Sequence, residues 1–450
     1  YTELMFMDTK STTQFGPAGN FFTTVTATCD NPLMSDQQRM ILGCAPGESA
    51  SFLLGRRNVE GGPRFGVHRH TTYRGVFGVR GNINESWRYD VSWQYAEVDM
   101  TKRNGNYFDT ARLDQALDAV AGPDGTAVCG PGADSGCVPY DLFNTGGVTD
   151  DQVNFLSQEY FETGTTSQEV FSAYVQGSLG DYGIASPFAE NGIDVVMGYE
   201  YREETLRNDY SDNAKRGVVG GLGAALVGVS GRYDVNEVYF EASVPLIEGA
   251  TLAESVVLDL GYRYSDYSFG PSTDTYKIAG TWGITEDIKV RGGFNRAVRA
   301  PNIVELFEPV NGGLFAMDAD PCNKANPGDA LSTSGYTFEQ CARSGVSQGV
   351  WDLGGPQNNP ASQYNQISGG NTELEPEEAD TLTFGFIFTP SFLEGLTVSV
   401  DYYDIEIEGA IQGIEEETTL LQCIETGDPT FCSLVGRGIN DTLWLGLAAP

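Results

Sequence analysis

Apolar and polar residues alternate one by one along most of this chain. Trp87, Tyr89, Val91, Trp93 and Tyr95 fall on one face of an extended segment, and Arg88, Asp90, Ser92 and Gln94 on the other. Ile193, Val195, Met197, Tyr199 and Tyr201 likewise oppose Asp194, Gly198, Glu200 and Arg202. Val256, Leu258, Leu260, Tyr262 and Tyr264 oppose Asp259, Gly261, Arg263 and Ser265, and Leu382, Phe384, Phe386 and Phe388 oppose Thr381, Thr383 and Gly385. A period of two marks β-strands. The segments run about 9 to 12 residues, against about 5 to 6 for a globular strand. That length crosses a bilayer when the strand is tilted. Charges keep to one face, while the other ends in Tyr and Trp. Hydrocarbon offers no water to the backbone, so only helices or closed barrels span it. The pattern therefore predicts an all-β fold, a transmembrane antiparallel up-and-down β-barrel with a wet interior and aromatic interfacial girdles. Alternation alone would also suit a soluble sandwich. Strand length and aromatic ends favour the barrel.

The connections point the same way. Links near Gly81–Trp87, Leu246–Glu254, Ile284–Ile288 and Pro390–Gly395 are short and Gly177–Gly192 is moderate, and they alternate with long ones, of which Tyr267–Thr275 is the weak member. Barrels of the outer membrane pair short periplasmic turns with long outer loops. Residues 1–450 are thus expected to form one partial barrel domain, with long outer loops at about 28–71, 98–168, 204–236, 298–379 and 408–445. Leu113, Leu117 and Val120 predict a short amphipathic helix in the second loop. Gly220-Gly221-Leu222-Gly223 lacks the Lys-Ser/Thr of a phosphate loop and reads as a flexible outer loop.

Eight cysteines form four near pairs, Cys29–Cys44, Cys129–Cys137, Cys322–Cys341 and Cys423–Cys432, each inside one long loop. They read as disulfides made in an oxidising compartment. The net charge of -36 speaks against nucleic acid as a partner. No run of about 18 apolar residues predicts a membrane helix, and Tyr-Thr-Glu-Leu at the start lacks the layout of a signal peptide. His68 and His70 share a face and could hold a metal or haem, but two ligands fall short of a site. Asp318, Asp320 and Glu308 have no calcium-loop spacing and read as solvated loop acids. With no G-x-S-x-G and no usable triad, neither catalysis nor a metal or other cofactor is expected.

The stretch Arg291–Phe307 reads RGGFNRAVRAPNIVELF. It resembles the barrel domain of TonB-dependent receptors, where a strand ends in S/N-R-x-x-R-A-P-x-x-x-E-L-F. Asp320-Pro321-Cys322, Gly370-Asn371-Thr372-Glu373-Leu374-Glu375-Pro376-Glu377 and Asp401-Tyr402-Tyr403-Asp404-Ile405 follow in family order, with Thr372 where the family has Pro. The resemblance is specific over roughly Val257 to Ile411. It implies a barrel of about 22 strands around a plug. About 11 or 12 strands are visible here, so the chain is expected to be half a wall, with plug and closing strands beyond it. Its end, Leu-Ala-Ala-Pro, is unlike a closing strand.

The implied function is active import across the outer membrane of a Gram-negative bacterium, with lipid around the barrel and TonB acting through the plug. The nutrient would be a ferric siderophore, cobalamin, a saccharide or a peptide. A passive porin and a surface adhesin are the competing readings. Arg296, Arg299, Pro301, Asn302, Glu305, Leu306 and Phe307 carry the signature and are expected to serve wall architecture, at a strand end that Pro301 helps turn. Asp194, Glu200, Arg263, Lys289 and Arg291 are the lumen and substrate candidates.

Overall fold

The structure is a computed structural model that describes residues 1–446, so the Leu-Ala-Ala-Pro end lies outside it. Eleven antiparallel strands form one sheet in chain order. They are β1 (Thr2–Pro17), β2 (Pro63–Asn82), β3 (Trp87–Phe108), β4 (Ser157–Ser178), β5 (Asp194–Tyr210), β6 (Ser230–Ala250), β7 (Ala253–Tyr267), β8 (Thr273–Gly283), β9 (Ile288–Arg299), β10 (Glu377–Phe388) and β11 (Val398–Glu408). The sheet is not closed on itself, and among the described residues β1 and β11 are its two edges. It is a partial barrel wall.

Several strands are about twice as long as the alternation marks. β3 and β4 each run 22 residues. The reason lies in their upper halves, where both faces turn polar. From Thr101 to Asn106 the apolar signal stops, yet the backbone ladder continues to Phe108. The connections 109–156, 211–229 and 300–376 are correspondingly shorter than expected, 18–62 is displaced towards the N-terminus rather than shortened, and a further segment runs from 409 onward. Because successive strands are antiparallel, all of these stand at one end of the sheet, joined there by the short 268–272 link. The 83–86, 179–193, 251–252, 284–287 and 389–397 links stand at the other.

Register brings the two side-chain sets into continuous faces. On the apolar face, one row runs Val244, Leu258, Gly280, Gly292, Phe384, Tyr402. Four residues towards the loops on the same face, a row runs Tyr262, Tyr276, Arg296, Asp380. The belt thus ends in aromatics and then in charge, the order that a bilayer interface requires.

The loops are not loose. Residues 18–62 and 109–156 build one module. Its hairpin, Gly19–Thr28 with Ser49–Arg57, packs Val25, Ala27 and Leu54 against Leu113, Leu117 and Leu156. The expected helix is Thr110–Leu117, capped by the Asp109 carboxylate, which accepts from the Ala111 and Arg112 amides. Val120 lies beyond it in a short extended segment. Asn31 donates to the Leu117 carbonyl at 3.1 Å and joins the two loops. Disulfides Cys29–Cys44 and Cys129–Cys137 close this module. A ring of the size of Cys29–Cys44, 15 residues apart, stabilises by about 3 kcal/mol in chain-entropy terms.

Residues 300–376 and 409–446 build a second module around Met317, Trp351, Tyr364, Leu420, Ile424 and Trp444, with Cys322–Cys341 and Cys423–Cys432 bonded. Asp320 is not a solvated loop acid. It pairs at 2.6 Å with Arg437 across the two loops, with side chains 1% and 2% exposed. Arg437 also donates to the carbonyls of Ser344 and Asp441, so its charge is fully engaged. The glycine-rich segment, expected to be flexible, is packed as well. The Gly220 amide donates to the Phe108 carbonyl, and Gly223, at φ +87°, lies so close to Leu314 that a side chain there would collide.

Two outcomes follow. Leu258→Arg puts a charge in the middle of the apolar belt, and refolding into lipid vesicles should weaken by roughly 2–4 kcal/mol; undiminished refolding would show that this face does not meet lipid. Arg437→Ala strands a buried carboxylate and should cost about 3–5 kcal/mol locally. Hydrogen exchange across 409–446 should accelerate while the wall strands stay protected.

Candidate functional site

The polar face of the wall is the candidate site, because alternation puts every predicted lumen residue on it. Asp194 and Glu200 lie on β5, Arg263 on β7, and Lys289 and Arg291 on β9. Their surroundings differ. Arg263 is already committed: its guanidinium donates to Glu237 at 2.8 Å and stacks 4.7 Å from the Tyr239 ring centre. The Glu237 carboxylate is buried and also accepts from the Ser265 hydroxyl at 2.6 Å. Arg291 is committed too, in a two-pronged pair with Asp401. That pair spans β9 to β11 directly above Gly385 of β10, where a Cβ would collide with the Asp401 carboxylate. Glu200 sits 3.5 Å from Arg202. Among the described residues Asp194 and Lys289 make no ion pair.

A shallow cavity of about 390 Å³ opens on this face, and Asp194 and Arg263 are in its lining. Its floor is Gly261, with Glu241 and Lys277 on the neighbouring strands to either side. Neither of those two has an ionic partner among the described residues. They are two further wall charges without an ionic partner, and neither stood among the expected lumen residues. They are ordinary members of the polar set, and only register places them around a glycine.

A second feature was equally hidden. Arg74 donates to Gln94 at 2.9 Å, Gln94 to Gln168 at 3.0 Å, and Gln168 to the Glu204 carboxylate at 2.8 Å. With Glu3 beside Arg74, this relay crosses β1 to β5 in one line. His68 and His70 share the polar face further up, opposite Lys102 and Met100, so the next strand adds an ammonium and a thioether rather than further imidazoles or carboxylates.

The signature segment splits between the faces. Arg296 and Arg299 are three residues apart and therefore point oppositely. Arg296 is on the apolar side above the belt, bonded to Asp380 at 2.6 Å and near Glu378 at 3.3 Å. Arg299 is on the polar side, held by Glu377 at 2.7 Å and Glu305 at 3.1 Å. Glu305 also accepts from the Asn302 amide while the Asn302 side chain accepts from the Glu305 amide. This capping box starts the short helix Ile303–Phe307, where Leu306 is buried. Pro301 stands between strand and cap.

Residues 43–428 match the family model described as TonB dependent receptor-like, beta-barrel. The chain belongs to that family. No curated protein matches it in sequence. Among solved structures, this receptor barrel is similar to the siderophore receptor PirA from Pseudomonas aeruginosa, with 13% identity, a TM-score of 0.34, and coverage of 77% of this chain and 49% of that one. PirA from Acinetobacter baumannii gives 13%, 0.38, 79% and 36%. The RagAB peptide importer gives 12%, 0.38, 80% and 32%. The chain thus spans about half or less of the length of these proteins.

At the loop end of the receptor barrel, charge is lopsided. Residues 109–156 hold eight aspartates and one basic residue, Arg112. Residues 300–376 hold nine acids and two bases, and residues 409–446 six acids against Arg437 alone. Glu425 accepts from the Tyr336 hydroxyl at 2.7 Å, and its carboxylate pushes that hydroxyl up to about 12. In the first module Arg56 holds Glu60 below the usual carboxylate range. The stability that Glu60 adds is therefore present at neutral pH and is lost only as pH falls through its lowered pKa.

The Arg291–Asp401 pair offers a clean measurement. Both side chains are about half exposed, so the coupling between them should be about 0.2–1 kcal/mol. A double-mutant cycle of Arg291→Ala and Asp401→Ala, read by urea unfolding in vesicles, should recover it. In a Gly385→Ala background the coupling should vanish. Coupling that persists there would mean that the pair does not pass over residue 385.

Proposed function

We propose that this chain is the wall and outer mouth of an outer-membrane active transporter in a Gram-negative bacterium. It imports a scarce nutrient, with TonB in the inner membrane as its energy-coupling partner. The family match over residues 43–428 carries this reading. The two-faced wall supports it, with one belt suited to lipid and one face lined by charge. Structural roles account for the paired arginines.

The acidic mouth bears on the nutrient. Carboxylates crowded around an opening raise the local concentration of cations and repel anions. We infer that the preferred solute is neutral or cationic, such as a saccharide or a basic peptide, rather than a polyanionic chelate. Capture falls to the loops, and the unpaired Glu241 and Lys277 offer a carboxylate and an ammonium to a solute on its way past the wall.

Uptake of labelled saccharides, basic peptides and ferric chelates would be compared in cells with and without the gene. The expected result is one neutral or cationic solute whose uptake needs the gene and stops with a protonophore. For a cationic solute its rate should also fall as salt is raised, because exposed charges are screened beyond about 10 Å at 0.1 M. Uptake that survives loss of the proton gradient would indicate a passive pore. Preference for an anionic chelate would overturn the charge argument.

A further inference from the structure

The two loop modules rise from opposite edges of the sheet, at the same end of its strands. The first hangs mainly from β1 to β4, the second from β9 to β11. From β2 to β10 the wall runs eight strand steps, about 38 Å at roughly 4.8 Å each. The modules nevertheless touch. Phe22, in the hairpin of the first, packs against the core of the second, which contains Trp351, Tyr364, Leu420 and Trp444. That contact takes the chord above the curved wall.

The contact has an unusual construction. Phe22 occupies a bulge where the hairpin register shifts between Phe21 and Thr23. Its φ is +59°, a left-handed conformation that bulky side chains rarely adopt. The ring lies against Gly55, 2.6 Å from where a Cβ would stand, so only glycine admits it. Hydrogen bonds tie each module together internally: Asn31 to Leu117, Gln38 to Phe143, Tyr336 to Glu425. Among the described residues none joins 18–62 to 300–446. The glycine-rich segment 211–229 lies in the same seam. It is bonded to the first side through Phe108, Thr110 and Gln158, and to the second through one bond, from Val227 to Asn311.

We propose that Phe22 is a latch. Each module is stapled and rigid, and the seam between them is apolar and almost free of hydrogen bonds. Phe22 holds the modules together over the mouth, at a backbone conformation that relaxes when the ring withdraws. Solute passes when they part. The purpose of the latch rests on the uptake reading; its existence does not.

All eight cysteines of this chain are paired, so within it two added thiols can be labelled alone; any free cysteine elsewhere in the receptor is first replaced by Ser. Met40→Cys and Leu353→Cys place nitroxides on exposed sites, one per module. In the full-length receptor in vesicles, pulsed electron resonance should give one narrow distance. Phe22→Ala should broaden it and shift it outward. Gly55→Ala, which wedges the ring from behind while keeping Phe22, should do the same. A narrow, unshifted distance in both variants, or a broad one in the native receptor, overturns the latch. Parting of the modules in variants of a receptor that takes up no solute would uphold the latch and sink the uptake reading.

Discussion

Everything in this molecule depends on the lateral pairing of backbone amides. A face that meets hydrocarbon leaves no water for an unpaired N–H or C=O. Each strand must therefore bond to the next along its length, and the eleven-strand ladder does so with few irregularities. Once the ladder is set, side chains have only two directions. The apolar belt, the charged wall and the opposite orientations of Arg296 and Arg299 are all consequences of that one restriction.

The same restriction decides what could be read in advance. Alternation is local, so the face of Trp93 or Gln94 is visible in a few residues of sequence. Register is not local. That Gln94 meets Gln168, or that Lys277 and Glu241 flank Gly261, follows from pairings between distant segments. The strand ends were misjudged for a related reason: a ladder continues through residues polar on both faces, where periodicity is silent. Arg263 and Arg291 were legible as residues of the polar face. Their prior commitment to Glu237 and Asp401 was not, since each partner lies on another strand.

The loops follow a different logic. Away from the wall they cannot borrow the ladder, and each core draws on more than one loop. Pairs of loops pool their apolar residues, and disulfides narrow the unfolded alternatives. The cysteine pairs announced this. The buried Arg437–Asp320 pair could not be foreseen, because the Asp320-Pro321-Cys322 motif does not name a partner and Arg437 is 117 positions away. The glycine-rich segment misled because glycine signals mobility as readily as close approach; here Gly223 permits contact with Leu314.

Gly385 gives the wall a mechanical property. Hydrogen bonds between adjacent strands resist separation, but they resist sliding along the strand axis less well, since a slip only exchanges partners. The Arg291–Asp401 pair bypasses a strand and joins its two neighbours. It acts as a diagonal strut across three members rather than a rivet between two. A sheet braced in this way keeps its shear, and the shear of a barrel sets its diameter. The smallest residue on β10 thus helps to fix the stagger of the strands on either side of it.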